Sequence, residues 1–198
     1  LLSVLSLHLL SYLLLFLYSV TEVGLYSMGY RLASLPLAVF AASLSQVFFQ
    51  KASKAFGETG AFWQEMKFNL RVTVTLAVFI FIALLVCSKP FIGIYLGASW
   101  LPAADIIITL SPMLAANFVY SAISVVPLVI GKPKILLWVR LSLFGTMLMT
   151  FFYSYLYTLA LSDYLLVHSV LACFIYIIFI LVAALIVKKD YHSGRVLA

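Results

Sequence analysis

The chain has 198 residues, of which 66% are hydrophobic and 9% are charged, and its mean hydropathy is +1.20. No water-soluble domain has a core that can hold so much apolar surface, so these values exclude a soluble globular fold. The formal net charge of +6 comes from basic residues scattered between apolar runs. A nucleic-acid-binding protein gathers its basic residues on one face, so we expect no nucleic-acid partner.

The apolar runs predict an all-α integral membrane protein. Lipid offers no hydrogen-bond partners to backbone groups, so a spanning segment must be a helix or part of a closed barrel, and these runs are far longer than barrel strands of about 10 residues. About six transmembrane helices are predicted, at Leu1 to Tyr18, Gly24 to Phe49, Leu70 to Ser88, Ala103 to Ile130, Ile135 to Tyr157 and Tyr164 to Val187.

Residues 1–198 are predicted to form a single six-helix lobe. Short connections at Ser19 to Val23 and at Thr158 to Asp163 predict antiparallel hairpins. The polar and aromatic stretch from Gln50 to Lys67 favours a short helix lying in the membrane interface. Because Leu1 stands inside an apolar run without an initiator Met, we expect the chain to be a fragment of a longer protein.

The distribution of Lys and Arg predicts the orientation in the membrane. Basic residues cluster in alternate loops, and the other loops carry only Lys89. The positive-inside rule then places the loop between the second and third spans, the turn between the fourth and fifth, and the C-terminal tail in the cytoplasm. The clusters are Lys51, Lys54, Lys67 and Arg71; Lys132, Lys134 and Arg140; and Lys188, Lys189 and Arg195.

Arg31 is a charged residue inside the second predicted span. An Arg at that depth costs about 2.5–3.5 kcal/mol on insertion scales unless it faces protein or water. Helical spacing groups Arg31 with small and polar residues, while Leu25, Leu35 and Val39 fall on the other side. The grouped residues are Gly24, Ser27, Arg31, Ser34, Ala38, Ala41 and Ser45.

Two interpretations of Arg31 follow. In the first, Arg31 lines a hydrated cavity with Ser27 and Ser34 and binds an anionic group such as a phosphate or diphosphate. In the second, its side chain extends to the outer interface, or it pairs with carbonyl groups freed near Pro36. Asn117 in the fourth span is a weaker binding candidate, because interhelical hydrogen bonding explains it equally well.

The sequence gives no indication of catalysis or of a bound cofactor. It contains no nucleophile and base pair, no phosphate-binding glycine loop and no paired carboxylates, so we expect a non-enzymatic protein. His8 and His168 stand apart without partners at ligand spacing, so no metal site is predicted.

Three stretches carry a resemblance to a known family. The chain resembles the C-terminal half of bacterial polysaccharide biosynthesis proteins of the oligosaccharide (O-antigen-type) flippase kind, which belong to the MOP superfamily together with MATE exporters. The stretches are EVGLYSMGYRLASLP at Glu22 to Pro36 with SQVFFQKA at Ser45 to Ala52; the Gly-x-x-Trp turn LGASW at Leu96 to Trp100 with Ala103 and Ala104; and Pro127 with GKPK at Gly131 to Lys134. Gly29 departs from the pattern, since a small alanine is more usual there.

The resemblance implies one lobe of a MATE-like, two-lobe transporter in the bacterial inner membrane. Its implied substrate is an undecaprenyl-diphosphate-linked oligosaccharide, as used in lipopolysaccharide assembly, which passes through a cationic cavity while its lipid tail stays in the bilayer. Arg31 is the residue that the resemblance assigns to that cavity. The implied partners are this lipid-linked oligosaccharide, membrane lipid and an N-terminal lobe that the sequence does not include, since alternating access needs both lobes.

Two other functions fit the fold. A MATE-type multidrug exporter would share the architecture, although a cavity with Arg and no intramembrane acid favours anions over cations. A non-transporting membrane subunit or an enzyme of glycan assembly is the alternative of another class. Such an enzyme normally carries a large outer loop, and the predicted outer loops here are short.

Overall fold

The computed structural model describes residues 2–192, and these residues are helical apart from short connections. Leu1 and Arg195 lie outside the described residues. The helices are α1 (Leu2–Leu17), α2 (Val20–Thr59), α3 (Trp63–Tyr95), α4 (Leu101–Ile123), the single turn α5 (Val126–Val129), α6 (Lys134–Tyr157) and α7 (Leu161–His192).

Five helical segments are long and apolar enough to cross a membrane. The chain is therefore a multi-pass, all-α membrane protein, as the sequence predicts. These segments are α2, α3, α4 with its flanking turns, α6 and α7. The first predicted span corresponds to α1, which has 16 residues and is about 24 Å long at 1.5 Å per residue.

The stretch between the second and third predicted spans is not a separate interfacial helix, and that prediction is corrected. α2 has 40 residues and α3 has 33, which correspond to about 60 Å and 50 Å of helix. The hydrocarbon core of a bilayer is about 30 Å thick, so both helices extend beyond it. The polar residues between Gln50 and Lys67 form the end of α2, a turn and the start of α3.

A glycine and a buried aromatic side chain determine this turn. Gly60 has a φ of 69°, and its N–H donates to the Phe56 carbonyl at 2.9 Å, so it ends α2 as a left-handed cap. Phe62 is 2% exposed, and its ring centroid lies 6.4 Å from that of Phe48 and 5.9 Å from that of Phe56. Burial of this aromatic cluster holds the start of α3 against the end of α2.

α4 is the central helix among the described residues. In its most apolar stretch 56% of the residues are buried, against at most 22% in the other four spans, and α2, α3 and α7 all pack on it. Gly29 of α2 lies so close that a Cβ there would be 2.9 Å from the Ala103 carbonyl oxygen. This close approach explains why position 29 is a glycine.

The turns around α4 agree with the motifs in the sequence. Gly97 has a φ of 89° and begins the one-turn 3-10 helix Ala98–Trp100, as expected of a Gly-x-x-Trp turn. Gly131 has a φ of 68°, and the N–H of Lys132 donates to the Pro127 carbonyl at 2.7 Å. Both turns use glycine because a left-handed backbone conformation is strained for other residues.

Replacement of Gly29 by Ala is expected to destabilise the protein. The added methyl group meets backbone, which cannot rotate away, so α2 must shift from α4 at a cost of about 1–3 kcal/mol. The measurement is thermal unfolding of the purified protein in detergent, which should show a lower midpoint for Gly29→Ala. Gly24→Ala is the matched control, since a Cβ at Gly24 has no neighbour within 4 Å; equal midpoints for the two variants would contradict the close packing.

Candidate functional site

A cavity of about 300 Å³ lies inside the helix bundle, where α1, α2, α4, α6 and α7 converge. Its lining is mixed. Its polar lining residues are three tyrosines, Asn117, Ser121, Arg140 and His168, and the others are apolar. An interior cavity with this many polar groups is unusual in a membrane helix bundle, where polar side chains are rare and often functional.

Three helices contribute residues at four-residue spacing, which puts the side chains of each helix on one face. They are Tyr26 and Tyr30 of α2; Met113, Asn117 and Ser121 of α4; and His168, Ala172 and Tyr176 of α7. The cavity is therefore built from helix faces that point toward a common centre.

Hydrogen bonds and ring stacking orient the polar side chains. The Ser121 hydroxyl donates to Asn117 Oδ1 at 3.4 Å, and Thr150 Oγ1 lies 3.4 Å from His168 Nδ1. The rings of Tyr26 and Tyr30 are stacked, with centroids 5.9 Å apart and an interplanar angle of 22°. Such contacts limit the rotamers of the lining residues, so the polar groups are held in place rather than left mobile.

Arg140 is the only charged residue among the described residues that line the cavity. It lies six residues after Lys134, the first residue of α6, which is about 9 Å along the helix axis. Its guanidinium carbon is 5.9 Å from the centroid of the Tyr120 ring, a cation–π contact. In the described part of the chain no carboxylate lies within 4.0 Å of this guanidinium, so the cavity carries a positive charge that favours anionic groups.

The structure brings only one of the sequence-predicted site residues into this cavity. Asn117 lines it, whereas Ser27, Arg31 and Ser34 do not. Arg31 is exposed on the surface of α2, and Ser27 and Ser34 are partly buried. Within the described residues, Arg31 has no ion pair within 4.0 Å.

The buried and exposed faces of α2 differ from the two faces predicted from the sequence. Ala41, which was grouped with Arg31, is 2% exposed, whereas Leu35 and Val39 are 63% and 67% exposed. Arg31 therefore shares the exposed side with Leu35 and Val39. The buried side packs on α4, and its residues are Val23, Tyr26, Gly29, Ala33, Ala41, Phe48 and Ala52.

Sequence reasoning missed the cavity role of Arg140 and of the aromatic residues. Arg140 was assigned to the basic cluster that sets orientation, and His168 was considered only as a metal ligand. The four-residue spacing of Tyr26 and Tyr30 was the available signal, but helical spacing alone does not distinguish a cavity from a core. In the described residues no group of three His, Cys, Asp or Glu side chains is placed to hold a metal ion; the His8 side chain lies outside them.

Comparison with known families decides the membership of the chain. A family model described as "Polysaccharide biosynthesis protein" matches residues 1–105, which is more than half of the chain and includes α1, α2 and α3. The chain belongs to the polysaccharide biosynthesis protein family. This membership supports a role in polysaccharide biosynthesis and agrees with the resemblance noted in the sequence. Searches of curated proteins and of solved structures gave no significant match.

The cavity is expected to be open to water and selective for anions. After replacement of Cys87 and Cys173, Asn117→Cys should react with small hydrophilic thiol reagents, and with anionic ones several-fold faster than with cationic ones, because Arg140 attracts negative charge. Rates of labelling in membranes provide the measurement. Ser111→Cys is the control, since Ser111 is 0% exposed and does not line the cavity; equal rates for both positions would contradict a hydrated cavity.

Proposed function

We propose that this family member transports undecaprenyl-diphosphate-linked oligosaccharide units across the bacterial inner membrane, as one lobe of a flippase. Family membership supplies the pathway, polysaccharide biosynthesis. The transport function is supported mainly by the sign of the charges within the spans. Arg31 and Arg140 lie within the spans, whereas the six acidic residues lie near the ends of helices. Arginine without carboxylates at membrane depth suits a diphosphate.

The position of Arg31 supports a second lobe. The second predicted span begins at Gly24, so Arg31 lies about 10 Å into a hydrocarbon core of about 30 Å. An exposed Arg at that depth is costly against lipid, so the exposed side of α2 must face water or other protein. We assign this surface to the interface with an N-terminal lobe, across a water-filled path that the substrate diphosphate uses.

The interior cavity supports recognition of the same substrate. Arg140 supplies a positive charge, and Asn117 and Ser121 supply the hydrogen-bonding groups that sugar hydroxyls and phosphate oxygens need. Tyrosine rings pack on apolar faces while their hydroxyl groups remain available for hydrogen bonds. In this proposal the protein only binds and moves the substrate, so it needs no catalytic group and no cofactor.

The alternatives fit these observations less well. A MATE-type exporter of organic cations needs negative charge in its path, and the cavity has Arg140 instead. An enzyme of glycan assembly, or a subunit that presents an outer domain, needs a long loop or a domain outside the membrane. The connections between described helices at residues 18–19, 96–100 and 158–160 are too short to form one.

The orientation in this proposal follows the positive-inside rule. The turn between α2 and α3, the turn between α5 and α6 and the C-terminus lie in the cytoplasm. Lys54 and Lys132 at these turns are exposed, as residues in contact with water and lipid headgroups should be.

Substitution of either intramembrane arginine tests the proposal. The full-length protein is expressed in a bacterial strain that lacks its own flippase, and surface polysaccharide is measured together with the membrane level of each variant. Arg31→Ala and Arg140→Ala should each lower surface polymer at least about tenfold, the loss expected for one charge-assisted contact. Partial rescue by Arg31→Lys would show that charge matters in addition to the guanidinium geometry.

Arg71→Ala is the matched control. Arg71 is also an exposed arginine, but it is the second residue of the third predicted span, Leu70 to Ser88, and it does not line the cavity. Its variant should keep full surface polymer. Normal export by Arg31→Ala and Arg140→Ala at normal protein level would refute the proposal, and protection of cells against organic cations would favour the exporter.

A further inference from the structure

A second pocket, of about 460 Å³, lies between α2 and α3 near the turn that joins them. It is separate from the interior cavity and shares no residue with it. Its polar lining residues are Lys51, Gln64, Glu65 and Asn69, and its apolar ones include Leu44, Val47, Phe68 and Val72.

The lining changes from charged to apolar along the helices. On α2, Leu44 and Val47 precede Lys51, and on α3, Val72 follows Glu65, so on both helices the apolar residues lie on the side toward the middle of the spans. The charged residues lie toward the turn. A ligand that fills this pocket must therefore be amphiphilic, with its polar end at the membrane interface.

The polar end of the pocket carries both signs of charge. The Lys51 ammonium group lies 5.9 Å from the centroid of the Phe68 ring, and Glu65 is partly buried. In the described part of the chain, no ion pair within 4.0 Å joins these two residues. Both charges are therefore available to a ligand that carries a negative and a positive group.

Asn69 lies at the buried side of the pocket. It lines the pocket and is only 7% exposed, and its Nδ2 atom has almost no accessible surface and no hydrogen-bond partner among the described residues. A buried amide without a partner is unfavourable, and natural structures seldom leave one. The side chain must turn toward the pocket before an acceptor oxygen of a bound molecule can satisfy this amide.

We propose that this pocket binds one phospholipid with an ethanolamine headgroup. The phosphate accepts a hydrogen bond from the Lys51 ammonium group and, once the Asn69 side chain turns toward the pocket, a second one from its amide. The lipid ammonium group donates to the Glu65 carboxylate. One acyl chain lies along Leu44, Val47 and Val72. A lipid with a purely anionic headgroup is disfavoured because Glu65 repels it, and a choline headgroup has no N–H to donate.

The test is lipid binding to the purified full-length protein in detergent. The protein is incubated with equal amounts of phosphatidylethanolamine, phosphatidylglycerol and phosphatidylcholine of identical acyl chains, and bound lipid is counted by native mass spectrometry. The wild-type protein should retain the ethanolamine lipid preferentially. Lys51→Gln should weaken its binding about fivefold, the effect of one basic residue at a lipid phosphate, and Glu65→Gln should remove the preference over phosphatidylglycerol.

Lys54→Gln is the control, because Lys54 is an exposed lysine one turn further along α2 that does not line the pocket. Unfolding midpoints of all variants show whether the fold is retained, and exposed Lys51 is expected to tolerate replacement. Equal retention of the three lipids, preference for phosphatidylglycerol, or equal losses for Lys51→Gln and Lys54→Gln would each overturn the proposal. The outcome is independent of oligosaccharide transport, since only lipid binding is measured.

Discussion

The close packing of α2 on α4 is the contact on which the rest of the described structure depends. It is possible because Gly29 has no side chain where the Ala103 carbonyl oxygen approaches, and because Ala33, Ala103 and Ala104 are small and buried. Small residues at a helix interface are how membrane proteins bring backbones together, since lipid provides no hydrophobic drive for helices to associate. The same approach brings Tyr26 and Tyr30, which lie three residues before and one residue after Gly29, to the interior cavity.

The low dielectric of the membrane gives the two arginines their significance. Arg140 lines the cavity, with the Tyr120 ring beside it, whereas Arg31 lies on the opposite, outer side of α2, and both side chains are exposed. In water these positions would be unremarkable, but within a bilayer each positive charge requires water, an anion or another polar group nearby. The polar cavity meets this need for Arg140, whereas Arg31 needs water or protein on the exposed side of α2.

Much of the fold could be predicted because hydropathy reports directly on contact with lipid. The long apolar runs were predicted from residue type alone, and the turns at Gly97 and Gly131 were expected from the family resemblance. The extension of α2 through Lys51 to Thr59 was not, because polar residues at the end of a long helix resemble those of an interfacial segment. There the packing of Phe62 between Phe48 and Phe56 decides the outcome.

The candidate site was predictable only in part, because residue type does not show which neighbouring helices a side chain contacts. Asn117 was identified because a polar side chain inside a span is uncommon. Arg140 was not, because a basic residue near the start of a helix serves equally well as an orientation signal, and only the neighbouring helices show that it lines a cavity. The division of α2 into faces failed at Ala41 and Leu35, because hydrophobicity distinguishes lipid from water but not lipid from a neighbouring protein surface.

The most direct test of the account is transport by the purified full-length protein in proteoliposomes. A fluorescent undecaprenyl-diphosphate-linked oligosaccharide is placed in the membrane, and its movement between leaflets is followed by the access of an impermeant quencher. The account predicts movement that depends on the protein and is lost when both Arg31 and Arg140 are replaced by alanine, while Arg71→Ala has no effect. Equal rates with the wild-type protein, the double variant and empty liposomes would contradict it.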